Sequence, residues 1–241
     1  MSGQALSPPP AETAPSAPGW CGKVVMLGDF AHRRLPQAFI AVCDPWLAHG
    51  ISASRVQLGS RWLDTYLTGP VWRFAWAPGV VDARWWFGVM MPSVDAVGRY
   101  FPLVVAATVQ NPPMSDDALN MLSDWYEHAS RAALATLQHG ASVDGFDAEL
   151  ARAPRWQAEP PAVQHEPEAA PKRRRLVLPG APSIAQWAHA LAGTAAANTS
   201  SGQTFWCPFP SDGGECGHGS LTVVPGLPDP DQFSLMLEGR W

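Results

Sequence analysis

The stretch GWCGKVVMLGDFAHRRLP, residues 19–36, decides how the rest of the chain is interpreted. A short apolar run ends at the Gly-Asp pair 28–29, three cationic or titratable side chains follow at 32–34, and Pro36 comes next. An apolar run indicates a strand, Gly-Asp is typical of a turn, and proline is favoured at the first position of a helix. The stretch therefore predicts a strand, a tight turn and a helix, with charged side chains at a junction of the kind that often carries function.

The composition is that of a globular protein with a large core. Apolar residues make up 46% of the 241 residues, which is ample for burial. The formal net charge of -5 argues against nucleic acid as the main partner, because phosphate binding needs a concentrated excess of Lys and Arg. Twelve tryptophans suit both a core and a recognition surface, so their number does not distinguish these roles.

Domain organisation follows from the composition of three segments. Residues 1–18 are rich in Pro, Ala and Ser and predict a disordered tail, whereas residues 19–241 predict a single domain. Repeated prolines predict a flexible segment at about 154–174.

Four cysteines are too few for a disulfide framework, and neither a secretory signal nor an apolar run of ~20 residues is seen. We therefore expect a cytoplasmic protein without membrane insertion.

Apolar periodicity predicts most of the elements. The fold class is α/β (α+β), with a central mixed, largely antiparallel sheet flanked by helices. The two continuously apolar runs at 85–91 and 103–109 are expected to be neighbours in that sheet. The predicted helices begin near Pro36, span 62–67, run from about Ser115 to near Gly140 and cover 184–191; the remaining predicted strands are 71–76, 176–178, 204–206 and 221–224, before a helical or extended segment that ends at Trp241.

Motifs for common cofactors and metals are absent from the sequence. Gly22-Lys23 lacks the spacing of a phosphate-binding loop, and no G-x-G-x-x-G follows a strand. Cys207, Cys216 and His218 match no common zinc spacing, and nothing orients them as a nucleophilic pair. We therefore predict neither a cofactor nor a metal.

An enzymatic alternative is a small hydrolase or ligand-binding enzyme. Asp29 or Asp95 with His32 would supply a base and its orienting group. No serine in an elbow motif, metal-ligand set or pair of carboxylates accompanies these residues, so a protein that is not an enzyme is favoured. An enzyme should show a concave pocket that joins the three residues, whereas a binding protein should present an open face.

Three blocks resemble one protein family. They resemble the signatures of the TagF family, also called ImpM, which is associated with bacterial type VI secretion. The first block runs from Gly19 through Gly28-Asp29-Phe30 to Arg34-Leu35-Pro36, the second from Pro70 to Phe74, and the third from Met91 to Leu103. This sequence departs from the family pattern at Cys21, where the family commonly has an aromatic residue, and at Val24-Val25-Met26. The resemblance implies a cytoplasmic accessory protein without catalytic residues.

The same resemblance implies a role and a partner. Members repress assembly of the secretion machine after translation by binding the forkhead-associated scaffold protein, in balance with a threonine kinase and phosphatase pathway. A third possible function is that of a structural subunit of the secretion base. Such a subunit would need a larger exposed apolar surface than the sequence indicates.

The residues and the resemblance together predict a site. Two loops that follow buried strands would converge into a mixed-charge patch that docks the partner. Alternatively, Asp29 and Asp95 bond internally to Arg99 or Arg33 and hold the two loops in place, or Asp29 caps the following helix. The partner-binding or loop-organising residues are Asp29, Arg33, Arg34, Asp95 and Arg99, ringed by Trp20, Phe30 and Tyr100.

Overall fold

The computed structural model describes residues 17–109, 112, 116–155, 200–209 and 218–241, with the backbone alone at 174–179 and at 218 and 219. Residues 1–16 of the predicted tail, most of the predicted flexible segment and the helix expected at 184–191 lie outside the described residues.

A single antiparallel sheet forms the centre of the described structure. Its eight strands have the order β2-β1-β5-β4-β3-β7-β8-β6, and every pairing between neighbours is antiparallel. This confirms the predicted class, including the adjacency of the strands at 85–91 and 103–109. The strands are β1 Gly19–Gly22, β2 Ala31–Arg33, β3 Trp72–Trp76, β4 Trp85–Met91, β5 Leu103–Val109, β6 Arg174–Pro179, β7 Gln203–Pro208 and β8 His218–Pro225.

The helices follow the predicted positions with two differences. The described helices are α1 Gln37–Leu58, α2 Trp62–Leu67, α3 Asp116–Ala135, α4 Val143–Ala151 and α5 Phe233–Leu237. The first helix begins directly after Pro36, as predicted, and continues through Pro45. The third helix ends at Ala135, before Gly140, and the fourth helix was not predicted. It begins at Ser142, whose hydroxyl accepts a hydrogen bond from the Gly145 N–H at 3.0 Å, a typical N-cap contact.

Helices cover both faces of the sheet. On one face α3 and α4 pack against the sheet, with Trp125 and Phe146 in a common core with Phe87. On the other face α1, α2 and α5 pack against a core rich in aromatic rings. There the alternating aromatic side chains of β3 point inward, as predicted, and the Phe39 ring stacks on Trp76 with centroids 5.1 Å apart. Every residue of β3 and β4 is consequently buried.

Among the helices that the structure describes, none is both long and apolar enough to cross a membrane.

Gly88 provides a test of how tightly the centre of the sheet is packed. It lies opposite Phe74, and an added Cβ would lie 2.2 Å from the Phe74 ring and 2.5 Å from the Val105 carbonyl oxygen. We expect Gly88→Ala to lower the free energy of unfolding by about 1–3 kcal/mol, because a close-packed core cannot absorb the methyl group without distortion. Urea denaturation followed by tryptophan fluorescence measures this change.

The matched control for this substitution is Gly28→Ala. Nothing lies within 4 Å of the Cβ position at Gly28, so the free energy of unfolding should change by no more than about 0.5 kcal/mol. Equal stability of the two variants would contradict the close packing of β3 on β4.

Candidate functional site

Strand β1 positions the candidate residues. It pairs with β2 on one side and with β5 on the other. Successive side chains of a strand point to opposite faces, and paired residues share a face. Trp20, paired with Arg33, therefore lies on the α3–α4 face, whereas His32 is paired with Cys21 on the α1 face. His32 and Arg33, although adjacent in the sequence, therefore lie on opposite faces of the sheet.

The first group of contacts is the Asp147 cluster, formed by Trp20, Arg33, Arg34 and Asp147. The Asp147 carboxylate, on α4, accepts hydrogen bonds from Trp20 Nε1 at 2.9 Å and Arg34 Nη2 at 2.7 Å through Oδ1. Its Oδ2 accepts from Arg33 Nη1. Burial raises the pKa of Asp147, but the hydrogen bonds from Arg34, Trp20 and Arg33 outweigh it, so the pKa lies below its usual range. Asp147 therefore stays ionised and joins α4 to the β1–β2 hairpin.

Two features bring Arg34 into this cluster. Its backbone has a φ of +59°, which makes it the one non-glycine residue with positive φ in the described part of the chain. Its Nε also donates to the carbonyl oxygen of Pro18 at 2.9 Å. Pro18 is buried, although the sequence places it in the predicted tail.

The second group is the Asp95 cluster, formed by Lys23, Asp95, Arg99, Gly28 and Asp29. Asp95 Oδ2 accepts from Lys23 Nζ at 2.5 Å and from Arg99 Nε at 2.7 Å. Its Oδ1 accepts from the backbone N–H groups of Val97 and Arg99 at 3.1 and 2.8 Å. Arg99 Nη2 donates to the Gly28 carbonyl oxygen and lies 3.5 Å from Asp29 Oδ1. The cluster joins the β1–β2 loop to the loop between β4 and β5.

The Asp95 carboxylate is buried, and opposing effects act on its pKa. Burial raises the pKa, whereas hydrogen bonds from Lys23, from the backbone and guanidinium of Arg99 and from the Val97 backbone lower it. The net pKa lies well below the usual range for an aspartate. An aspartate in this state is a poor proton acceptor, which makes it unsuited to the role of general base.

The three predicted aromatic residues do not form one ring. Trp20 is fully buried and packs on Phe146, with ring centroids 5.6 Å apart. Phe30 and Tyr100 are half-buried near the Asp95 cluster; Phe30 packs edge-on against Phe101 at 5.8 Å. Tyr100 packs against Trp62 and Tyr66, on α2. The expected single patch is therefore two clusters, with Trp20 beneath one of them.

Sequence reasoning missed the residue that completes each cluster. Lys23 belongs to the opening block and directly follows Gly22, but its partner is 72 positions away. Asp147 belongs to the unpredicted α4 and is 114 positions from Arg33. The Ser142 cap and the spacing of Phe146 and Leu150 were the available signals for α4. The expected pairing of Asp95 with Arg99 is present, whereas Asp29 does not cap α1, since its carboxylate accepts from the Phe30 N–H at 2.8 Å.

The enzymatic alternative requires Asp29, His32 and Asp95 to meet. In the described part of the chain, His32 makes no hydrogen bond or ion pair with either aspartate, and its side chain lies on the α1 side of the sheet edge. A groove of about 470 Å³ lies between α3 and α4, and none of the three residues lines it. The geometry therefore gives the hydrolase alternative no support.

Of the cysteine and histidine residues near the C-terminal strands, only the Cys207 side chain is among those that the structure describes. Cys216 lies outside the described residues, and the described residues contain no group of three or more potential metal ligands. Burial raises the pKa of the Cys207 thiol to about 11, despite the lowering effect of Arg73. Cys207 is therefore protonated near neutral pH and unsuited to be a nucleophile.

Comparisons with known proteins place this arrangement in context. The family described as the TagF N-terminal domain, type VI secretion system-associated, matches residues 19–153. The crystal structure of PA0076 from Pseudomonas aeruginosa PAO1 is similar, with 36% sequence identity and a TM-score of 0.66. This alignment covers 92% of the present chain and 94% of PA0076. No functionally curated protein matches the chain.

The pH dependence of stability tests the role of Asp95. Because its pKa is lowered by folding, its ionised form stabilises the protein above the unfolded pKa of about 3.9, and this contribution is lost as the pH falls through the folded value. We expect Asp95→Asn to lower the urea midpoint at about pH 7, and the difference from the wild type to narrow below about pH 4.

The control for Asp95→Asn is Asp29→Asn in the same cluster. The Asp29 side chain is 87% exposed and its ion pair with Arg99 is 3.5 Å long, so its loss should change the midpoint little. A constant difference between wild type and Asp95→Asn across the acid range would contradict the role of the ionised carboxylate.

Proposed function

Because this chain belongs to the TagF family of type VI secretion system-associated proteins, we propose that it represses assembly of the secretion apparatus after translation. It does so as a cytoplasmic accessory protein that binds the forkhead-associated scaffold protein of the system, and it is not an enzyme. The observation that carries the proposal is the family match over residues 19–153, which contain both the Asp95 and the Asp147 clusters. Family membership confirms the resemblance seen in the sequence blocks.

The geometry of the two clusters supports binding through this edge of the sheet. Arg33 and Arg99 have about half of their side-chain surface exposed, at 46% and 54%, although carboxylates hold both guanidinium groups. Arginine is enriched among residues that dominate binding energy, and a side chain that is already held loses less entropy on binding. Phe30 and Tyr100 add half-buried aromatic surface beside Arg99. Trp20 and Asp95, both buried, organise the loops from beneath.

The binding experiment uses the purified full chain and the purified forkhead-associated scaffold protein of the same secretion system. We expect Arg33→Gln to weaken the affinity about tenfold in calorimetric titration, because it removes a partly exposed cationic contact. Arg61→Gln is the matched control, since Arg61 is also exposed but lies beside α2 on the other face of the sheet. The affinity of Arg61→Gln for the scaffold protein should stay within about twofold of the wild-type affinity.

Two outcomes would contradict the proposal. A wild-type chain that does not bind the scaffold protein would overturn the proposed partner. Wild-type affinity in the Arg33→Gln variant would remove Arg33 from the contact surface.

Repression itself is measured in cells that overproduce the wild type, in which fewer secretion machines should assemble.

A further inference from the structure

The Asp147 cluster places two neighbouring arginines on one carboxylate. Consecutive side chains of an extended strand point to opposite faces, so Arg33 and Arg34 would ordinarily diverge. The positive φ of Arg34 ends β2 and turns its side chain back toward the face of Arg33. Each guanidinium then bonds a different oxygen of Asp147. A backbone conformation that is costly for arginine is thus associated with bringing both cations to one point.

Several donors in the cluster remain available. Arg33 bonds Asp147 through Nη1 alone, and its Nε and Nη2 have no hydrogen bond to any described residue. Arg34 uses Nε and Nη2, which leaves Nη1 without a partner among the same residues. The Arg33 and Arg34 side chains are 46% and 29% exposed, whereas Asp147 is only 15% exposed. Both cations therefore have N–H donors without a partner among the described residues, on partly exposed side chains, while the anion between them is largely covered.

Two guanidinium groups and two carboxylates lie at this point, of which Asp147 is covered and Asp144 is exposed. Two guanidinium groups are paired with one covered carboxylate. Asp144, one turn earlier on α4, is 99% exposed and forms an ion pair with Arg33 at 3.9 Å, a distance too long for a hydrogen bond. A pair of guanidinium groups with free N–H donors matches the geometry of a carboxylate.

We infer that Asp147 is the positioning residue of a carboxylate-recognition site, in which Arg33 and Arg34 bind an acidic side chain of a protein partner. Asp147 fixes the two guanidinium groups before binding, so their free N–H groups face the incoming carboxylate without a further loss of rotamer freedom. The identity of that partner rests on the proposed function; the recognition of a carboxylate does not.

The first experiment observes the two arginines directly in the full chain. Nitrogen-15 NMR of the arginine Nη–H groups should show separate signals, with slowed Cζ–Nη rotation, for Arg33 and Arg34, because Asp147 bonds Nη1 of Arg33 and Nη2 of Arg34. Asp147→Asn should broaden or lose both signals, whereas Asp144→Asn on the same helix should keep them. Persistence of both signals in Asp147→Asn would overturn the positioning role. Urea denaturation of Asp147→Asn and Asp144→Asn separates this role from general destabilisation of the hairpin.

The second experiment uses a hexaglutamate peptide as the probe. Its titration into the wild type should shift the Arg33 and Arg34 signals, with a smaller shift for Arg61 and an at least fivefold weaker response in Asp147→Asn. Asp147→Glu should restore part of the response, because it keeps the charge. Equal shifts at Arg33, Arg34 and Arg61 would overturn carboxylate recognition at this site.

The third experiment separates this inference from the proposed function. The scaffold protein should bind Asp147→Asn at least fivefold more weakly than the wild type, with a smaller dependence on salt, while Asp144→Asn stays near the wild type. If the wild type binds hexaglutamate at Arg33 and Arg34 but not the scaffold protein, the proposed partner fails and the carboxylate site stands. Unchanged scaffold affinity in Asp147→Asn would contradict the positioning role in that interaction.

Discussion

Burial of both faces of the sheet is the constraint on which the rest of this structure depends. Because α3 and α4 cover one face and α1, α2 and α5 cover the other, the central strands β3 and β4 contain almost entirely apolar side chains. Uncompensated charge is costly in such a position. The ionisable residues of the candidate site consequently lie at the ends of strands and at the β1–β2 edge. The edge strand β2 has only three residues and is largely exposed.

Arg73 is the exception, because it is an ionisable residue within a buried central strand. It lies in β3 and is 4% exposed, its guanidinium is 3.5 Å from Glu127, and it packs under the Phe209 ring at 4.3 Å. Burial lowers the pKa of this arginine, an effect that Cys207, Glu127 and Tyr126 partly offset. Its Nε has no hydrogen-bond partner within the described ranges.

Two covered aspartates near the edge of the sheet pair with cationic side chains and thereby hold the exposed arginines in place. Asp147 is bonded by Arg33 and Arg34 from a distant part of the chain, and Asp95 is bonded by the distant Lys23 and by Arg99 four positions away. The close approach of Gly22 to Pro102 brings Lys23 to Asp95: Gly22 has a φ of +126°, and a Cβ there would lie 2.1 Å from the Pro102 carbonyl oxygen. Backbone geometry and charge pairing therefore act together, and the exposed arginines are presented from loops that are already held in place.

The sequence by itself determined the class of fold, the family and most of the elements, because apolar periodicity and turn residues act over a few neighbouring positions. Strands β3, β4, β5, β7 and β8 and helices α1 and α2 were recognisable in this way. Apart from the expected pair of Asp95 and Arg99, which are four positions apart, tertiary structure decided which charged side chains meet. Arg33 and Asp147 are separated by 114 positions, and the positive φ of Arg34 reverses the direction that an extended strand would give its side chain. Ion pairing depends on distance in space and on burial, neither of which local sequence encodes, so the predicted single patch became two clusters.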